Sequence, residues 1–407
     1  MSQPPAVTVI TPWYPSAPEP HVGVFVRSQV HALVEAGARV QVIHTREDRL
    51  HADGSFVPLQ GRWQRWLRAR RGDWLSHDLV GDVAVPLARV PVPRPKHINR
   101  YDQATLHAIA TQVGLELLDP VEVAHAHVGM LSGWAAAELL ESDVPLLVTE
   151  HYSAMLSSQK LGPRVKRLYR KALARSFRTL AVSSALRDKL LSDFPDAHDR
   201  LSVVPNILAN PPAAVASASG RPIRDWICVG AVIEGKRPSL VLESFARFAE
   251  SAGDATLTFV GAGEELPVVA RRAQELGLTQ RVTLTGALDP ETTSRLIGQA
   301  DVLVHLSRLE TFSIVTAEAI AAGTPVIVAD SGGPRDIMDA EVAPLAGRLL
   351  GPDPTADQVS AAVAELEDDP ALDLSTAATI VAQRYAPGSV AQQLLRLYEE
   401  GLVAAHD

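Results

Sequence analysis

The 407-residue chain has one cysteine, Cys228, four methionines and an aromatic fraction of only 5 %. A lone thiol cannot close an internal disulfide, which excludes a disulfide-stapled scaffold and fits a reducing compartment such as the cytoplasm. No stretch approaches the ~20 consecutive apolar residues that a membrane helix requires. The opening Met-Ser-Gln-Pro-Pro, followed by the short apolar run 7–10, lacks the basic start and long apolar core of a secretory leader. No repeat of solenoid length is visible either. What remains is 46 % apolar and 21 % charged, with 26 Gly and 29 Pro, the composition of a globular chain. Its length suits two domains, each able to bury its own core. A soluble, cytoplasmic two-domain protein is expected.

The net charge of −9 is unevenly spread, about +4 over residues 1–208 and −13 over 209–407. No acid occurs between Glu150 and Asp188, a stretch crowded with Lys and Arg from Lys160 to Arg187. A second cluster, Arg62, Arg65, Arg68, Arg70 and Arg71, is interleaved with Trp63, Trp66 and Trp74. A nucleic-acid binder is more often basic overall, so no nucleic-acid partner is expected. The basic stretches point instead to an anionic substrate, or to an anionic membrane surface met through residues 62–71 and 160–178. The second option would set the protein peripherally on the inner face of the membrane. An ordinary solvated helix face explains residues 160–178 equally well.

Short β-rich apolar runs alternate with helical patterns along the chain. In the first half the runs are 7–10, 40–43, 121–124, 146–148, 180–182 and 202–204; in the second they are 226–229, 256–260, 281–284, 302–306 and 326–329. Continuous apolar strands separated by helices predict a parallel sheet covered on both faces, here twice in tandem. Residues 206–219, with Pro211-Pro212 and many small residues, read as a linker. The expected division is 1–208, 209–385, and a last amphipathic helix, 386–407, packing back on the N-terminal domain. Residues 50–100, rich in Arg, Trp and Pro, are predicted to be an insertion with long loops.

The most informative stretch is 307–333, SRLETFSIVTAEAIAAGTPVIVADSGG. A strand leads to a loop with Glu310. A helix then begins near Ser313, carries Glu318, and stops at Gly323 before Pro325. Ser313 or Thr311 is placed to cap it, and the free N–H groups of its first turn, at Phe312 to Ile314, form an anion site. This suits a sugar joined to a nucleotide diphosphate, with one carboxylate on sugar hydroxyls, the helix start on phosphate and the other carboxylate on ribose. Two Glu eight apart also occur by chance on surface helices. The flanking strand, helix stop and Gly332-Gly333 make the pattern specific.

This segment resembles the E-x7-E signature of family-4 retaining glycosyltransferases. Those enzymes have the GT-B architecture, an α/β fold of two Rossmann-like doubly wound domains facing across a cleft. The resemblance runs over nearly the whole chain, through Thr11-Pro12-Trp13-Tyr14-Pro15 with Gly23, His125-Ala126-His127, Thr149-Glu150-His151, Val182-Ser183-Ser184, Val204-Pro205-Asn206, Val229-Gly230 to Lys236, and Gly261-Ala262-Gly263. It implies a metal-independent hexosyltransferase that moves a sugar from a UDP- or GDP-linked donor to a hydroxyl acceptor. The acceptor would be a polysaccharide, lipid-linked or small molecule of envelope biosynthesis. By the same resemblance Lys236 holds the donor diphosphate, Glu310 the sugar hydroxyls and Glu318 the ribose. His151 touches the transferred sugar, His127 lines the acceptor side, and Gly23, Gly263 and residues Thr311, Phe312, Ser313 and Ile314 line the donor. No cofactor is implied.

One position departs from the family. An arginine usually follows the glycine five residues before the lysine, and here Gly230 is followed by Ala231; Arg237 is expected to compensate. Asp336 stands where a Glu often follows the glycine pair. His125 and His127 alternate on a strand end without further ligands at metal spacing, so no metal site is expected and His125 reads as structural. Gly261-Ala262-Gly263 lacks the third glycine of a dinucleotide fingerprint, Pro267 standing in its place. Two alternatives remain open: a nucleotide-sugar 2-epimerase on the same fold, and a degenerate member that binds nucleotide sugar or glycan without turnover.

Overall fold

The computed structural model describes residues 4–16, 20–48, 60–93, 99–157, 161–209 and 222–406. Most of the expected linker lies outside the described residues, as do Lys160, residues 50–59 and 94–98 of the expected insertion, and the side chain of Arg62. The chain forms two compact units. The first comprises 1–182, 187–207 and 387–407, and the second 183–186 and 208–386.

The first unit is built on eight strands: β1 (Ala6–Thr11), β2 (Arg39–Asp48), β3 (Leu75–Val80), β4 (Val83–Pro93), β5 (Val123–His127), β6 (Leu146–Glu150), β7 (Arg178–Ala181) and β8 (Leu201–Val203). They lie in the order β3-β4-β2-β1-β5-β6-β7-β8, with only the β3–β4 pair antiparallel. The order reverses at β1, whose neighbours are β2 and β5. In such sheets ligands bind outside the carboxyl ends of the strands at that reversal, here at Thr11 and His127. The helix Pro387–His406 belongs to this unit; Val390, Ala391, Leu394 and Tyr398 are buried in one core with Val7, Val9, Val30 and Leu33.

The described part of residues 50–100 is more regular than expected. It forms a helix, Gln60–Ala69, one turn of 3-10 helix and the β3–β4 hairpin. Pro91 and Pro93 disguise β4 as a loop. Both lie beyond the end of β3, where β4 has only β2 beside it, and an open strand edge tolerates a residue without an N–H. Asp78 on β3 then ties the hairpin down, accepting two bonds from the Arg27 guanidinium at 2.8 Å and one from the Tyr14 hydroxyl at 2.6 Å.

The second unit is wholly parallel, with β9 (Asp225–Val229), β10 (Thr256–Val260), β11 (Val282–Leu284), β12 (Val302–His305), β13 (Val326–Ala329) and β14 (Gly347–Leu350) in the order β11-β10-β9-β12-β13-β14. Its reversal lies between β9 and β12, so the loops after Val229 and His305 face the ligand-binding crevice of this sheet. Those loops fit closely. A side chain at Gly263 would overlap the Val232 carbonyl, and one at Gly261 the Gly230 carbonyl. Amides of Val232 and Glu265 donate across the two loops at 2.9 and 3.0 Å. Gly263→Ala is therefore expected to destabilise this unit by more than ~1 kcal/mol. Thermal unfolding checks it, and an unchanged midpoint would mean that the Val232 loop yields freely.

Candidate functional site

In the second unit, β12 ends at His305 and the chain turns through Glu310 into the helix Ile314–Ala321. The Glu310 segment is held on both sides. Its amide donates to the Ser331 carbonyl at 3.0 Å, and the Gly333 amide donates back to its own carbonyl at 2.7 Å. Gly333 must be glycine because a Cβ there would overlap the Thr311–Phe312 backbone. Lys236 arrives from the loop after β9 and pairs with the Glu310 carboxylate. His305 donates to the same oxygen from Nε2 at 2.8 Å. Burial alone would raise the Glu310 pKa. The His305 bond and the Lys236 charge outweigh it and bring the carboxyl down to about 2, so Glu310 is ionised at neutral pH. The result is a carboxylate with only 13 % of its side chain exposed, flanked by two donors.

Glu318 differs from it. No hydrogen bond or ion pair reaches its carboxyl among the described residues, and burial raises it to about 7. An acceptor kept without a partner in a poorly solvated place is suited to hydroxyl groups from outside the protein. At the start of its helix Ser313 adopts φ +79°. Ser313 forms no side-chain cap, its hydroxyl bonding that of Thr316 at 2.7 Å. Among the described residues nothing accepts from the amides of Ile314 and Val315, so the first turn keeps its anion-binding character. Phe312 is buried edge-on against Tyr385, 5.2 Å between ring centres, and fixes this turn from behind.

Arg237 has another task than the expected one. Its buried guanidinium donates to the carbonyls of Leu306, at 2.6 Å, Ser307, at 3.2 Å, and Pro352, at 2.6 Å, and pairs with Asp353. It joins the loops after β12 and β14, so it does not replace the arginine missing at Ala231. Arg308, which no sequence motif singles out, lies on the same loop, half-exposed, and its amide donates to the Gly235 carbonyl at 2.8 Å. Gly263 backs the Lys236 loop through the Val232 contact and is itself partly exposed. The Cys228 thiol, pushed up to about 12 by burial, is no nucleophile.

In the first unit His151 follows β6 and packs on Phe25, ring centres 4.6 Å apart, two residues beyond Gly23. Gly23, at φ +75°, lies so close to Trp13 that any side chain would overlap its carbonyl. The amino-terminal loop and His151 are thus brought together. His127 is fully buried, its ring stacked between His125 and His151, and its Nδ1 meets His151 Nε2 at 2.8 Å. It stands behind His151, not on an open acceptor surface. His125 bridges the Tyr398 hydroxyl and Thr149, each at 2.7 Å, and ties the last helix to β5 and β6. Burial lowers the pKa of all three rings, to about 3 for His125 and His151, so they are neutral. Among the described residues no group of three or more His, Cys, Asp or Glu is arranged to hold a metal ion.

Glu150 carries a role that its place at the end of an apolar run does not announce. Its Oε1 accepts from the amides of His151 and Tyr152 at 2.9 and 2.7 Å, and its Oε2 from Gly129 at 3.0 Å. It thereby positions the turns that carry His127 and His151. The Trp-Arg cluster is mostly packing: Trp63 and Leu67 are buried with Val90, Val92, Leu106 and Val113, while Arg68 pairs with Glu116 and Arg70 with Asp73. Trp66 is 39 % exposed beside them, with the Arg70 guanidinium over its ring, and nothing among the described residues shows the expected membrane contact through 62–71. No helix among the described residues is long and apolar enough to cross a membrane.

Two families match the chain, Glycosyltransferase Family 4 over residues 22–208 and Glycosyl transferases group 1 over residues 223–382. Among curated relatives, 2-deoxystreptamine glucosyltransferase of Streptomyces kanamyceticus is 27 % identical over 320 residues, 71 % of this chain and 81 % of that protein. Among solved structures, sucrose-phosphate synthase from Thermosynechococcus elongatus superposes with a TM-score of 0.73 at 19 % identity, covering 98 % of this chain and 100 % of the other. Anabaena HepE in complex with UDP-glucose gives 0.67 at 17 % identity, with coverage of 98 % and 100 %.

Proposed function

The chain belongs to the family-4 glycosyltransferases of GT-B fold, and from that premise we propose that it moves a hexose-type sugar, with retention and without a metal, from a UDP- or GDP-linked donor to an acceptor hydroxyl. The observation that carries this reading is the pairing of an ionised, doubly held Glu310 with an unpartnered Glu318 on either side of a helix start with open amides. Glu310 would take sugar hydroxyls and Glu318 the ribose. Lys236 and the amides of Ile314 and Val315 would stabilise charge building on the departing diphosphate. A phosphate oxygen leaving on the face the acceptor approaches can take the acceptor proton, so no protein nucleophile is needed. With Arg237 committed to carbonyls, Arg308, exposed and only loosely paired with Asp353 at 3.7 Å, would be the cation on this loop for a second diphosphate contact. His151, neutral and packed on Phe25, would be the first unit's residue for a sugar, with the helix start at Gly23 beside it. The acceptor is a polysaccharide, lipid-linked or small-molecule hydroxyl; the similarity to a glucosyltransferase and to a structure bound to UDP-glucose favours a uridine-linked hexose as donor.

Calorimetric titration with UDP, GDP and ADP, with magnesium and with chelator, tests the reading. One nucleoside diphosphate is expected to bind selectively and equally well in both conditions; no binding by any of them would overturn it. A finer check uses the nucleotide sugar, whose phosphates do not titrate between pH 6 and 8. Glu318 at about 7 becomes ionised across that window. Donor affinity should therefore rise about tenfold from pH 6 to pH 8 as the accepting form is populated, and Glu318→Gln should flatten the rise.

A further inference from the structure

The helix Pro163–Arg175 of the first unit buries Leu168, Tyr169, Ala172 and Leu173. Its cations fall into two sets. Lys166 meets Asp193 at 3.4 Å, Lys171 meets Glu138 at 2.5 Å, and Arg175 donates to the Val144 carbonyl at 2.8 Å. Arg164, Arg167 and Arg170, spaced three apart on one face, have no hydrogen bond or ion pair among the described residues. These same three line a single open cavity of about 770 Å³, together with Pro163 and Tyr101. Tyr101, 37 % exposed, sits in the first turn of the helix Arg100–Leu115, its ring 6.4 Å from that of Trp134.

That division is informative. Cations three apart repel one another on a helix, and a positive charge at a helix start opposes the macrodipole, so this face is arranged against the stability of its own helix. No acid lies between Glu150 and Asp188 to relieve it. The lysines of the helix are the residues given to carboxylates, while the cations lining the cavity are all arginines, whose planar forks grip phosphoryl oxygens in pairs. The volume falls in the range of small-molecule sites, in an open depression whose lining residues are all exposed. Both helices that line it begin after strands of the parallel sheet, which places the cavity on the carboxyl edge that also carries His151.

We propose that this cavity is an anion subsite that holds a phosphoryl group of the acceptor. The proposal rests on the glycosyltransferase reading for what the anion belongs to, and on the three unpaired arginines for its chemistry. A phosphate monoester or diphosphate would lie across Arg164, Arg167 and Arg170, with the Tyr101 ring against the group that bears it. The acceptor would then be an anionic molecule, so the reaction that supplies it is a phosphorylation or a phosphodiester-forming step.

The test titrates inorganic pyrophosphate at low salt into wild-type protein, the Arg167→Gln/Arg170→Gln variant and Lys236→Ala. Both arginines are exposed, so the double variant should keep its fold, which thermal unfolding checks. Pyrophosphate is expected to bind the wild type at two sites. The double variant should lose at least tenfold in affinity at one, and Lys236→Ala should leave that one intact. Wild-type binding by the double variant would overturn the proposal. A Lys236→Ala curve identical to wild type would instead count against the donor site, which separates the two failures. Co-sedimentation with phosphatidylglycerol and phosphatidylcholine vesicles names the source. Phosphatidylglycerol binding lost together with pyrophosphate binding in the double variant supports a lipid-borne phosphate, and pyrophosphate binding without vesicle binding supports a soluble one. Vesicle binding with no pyrophosphate site in the first unit would overturn the cavity in favour of a diffuse charged face.

Discussion

Lys236→Ala is expected to lower kcat by about 10²- to 10³-fold, the loss that follows removal of one preorganised group facing charge that develops in the transition state, ~2.7–4 kcal/mol. Lys236 is 28 % exposed on its side chain and already neutralised by Glu310 in the unliganded protein. Removing it leaves the buried, ionised Glu310 with His305 alone, so the alanine variant should also lose some stability, which thermal unfolding reads separately from the rate. The donor diphosphate is anionic before and after the bond breaks, but the charge on its leaving oxygen grows only as the sugar departs. An interaction made chiefly at that moment lowers kcat and kcat/KM together. KM for the donor should accordingly change much less than kcat, whereas Glu318→Ala, which removes a ribose contact present throughout, should raise KM and spare kcat. Lys236→Arg, which keeps a cation, should recover part of the rate. Steady-state transfer or donor hydrolysis measures all three, and a Lys236→Ala enzyme with wild-type kinetics would mean that the diphosphate is held elsewhere.

Why Lys236 and Glu310 are legible in the sequence while their companions are not has a physical answer. Glu310 and Glu318 are fixed by local spacing, since a strand, a turn and one helix, bounded by Gly323 at φ +78°, carry both. The apolar runs of β9, β12 and β13 announce themselves because both faces are buried. His305 leaves no such mark: as the last residue of a buried strand it looks like one more core position, and its role appears only when Glu310 folds back on it. Arg237 shows the opposite failure. Its charge and its place beside Lys236 suggest phosphate, but the φ of +53° turns its guanidinium to carbonyls from two other loops. Val128, Arg237 and Ser313 are the described non-glycine residues with positive φ, and each lies directly beside or within a segment that carries a candidate site residue. Strain of that kind gathers where a fold holds functional groups, and no rule of composition or periodicity foretells it. The β3–β4 hairpin is hidden for a plainer reason: an edge strand admits prolines and exposed side chains that a central strand excludes.

Glu150→Ala is expected to cost the first unit several kcal/mol, ~1–3 for each buried amide left without its acceptor. The carboxyl is buried and binds three backbone amides, two from the turn after β6 and one from the turn after β5. Alanine would leave all three donors unsatisfied in a place water cannot readily enter, because the Tyr169 ring closes over Gly129 so tightly that a Cβ there would meet it at 2.8 Å. Glu150→Gln keeps the shape but turns an N–H group toward one of those amides, so a smaller loss of ~1–3 kcal/mol is expected. Burial raises the Glu150 pKa, with the amides pulling the other way. The native state therefore holds this proton more tightly than the unfolded chain does. Its contribution is fully present below the ordinary carboxylate pKa and shrinks as pH rises through the folded value, so the gap between wild type and Glu150→Ala should narrow toward alkaline pH. Hydrogen exchange offers the most direct reading. The amides of Gly129, His151 and Tyr152 should exchange at least ~10²-fold faster in the alanine variant, while nucleotide binding by the second unit, measured alongside, stays at its wild-type value. If those three amides kept their protection, the carboxylate would not be what holds His127 and His151 in place, and the stacked rings alone would have to do so.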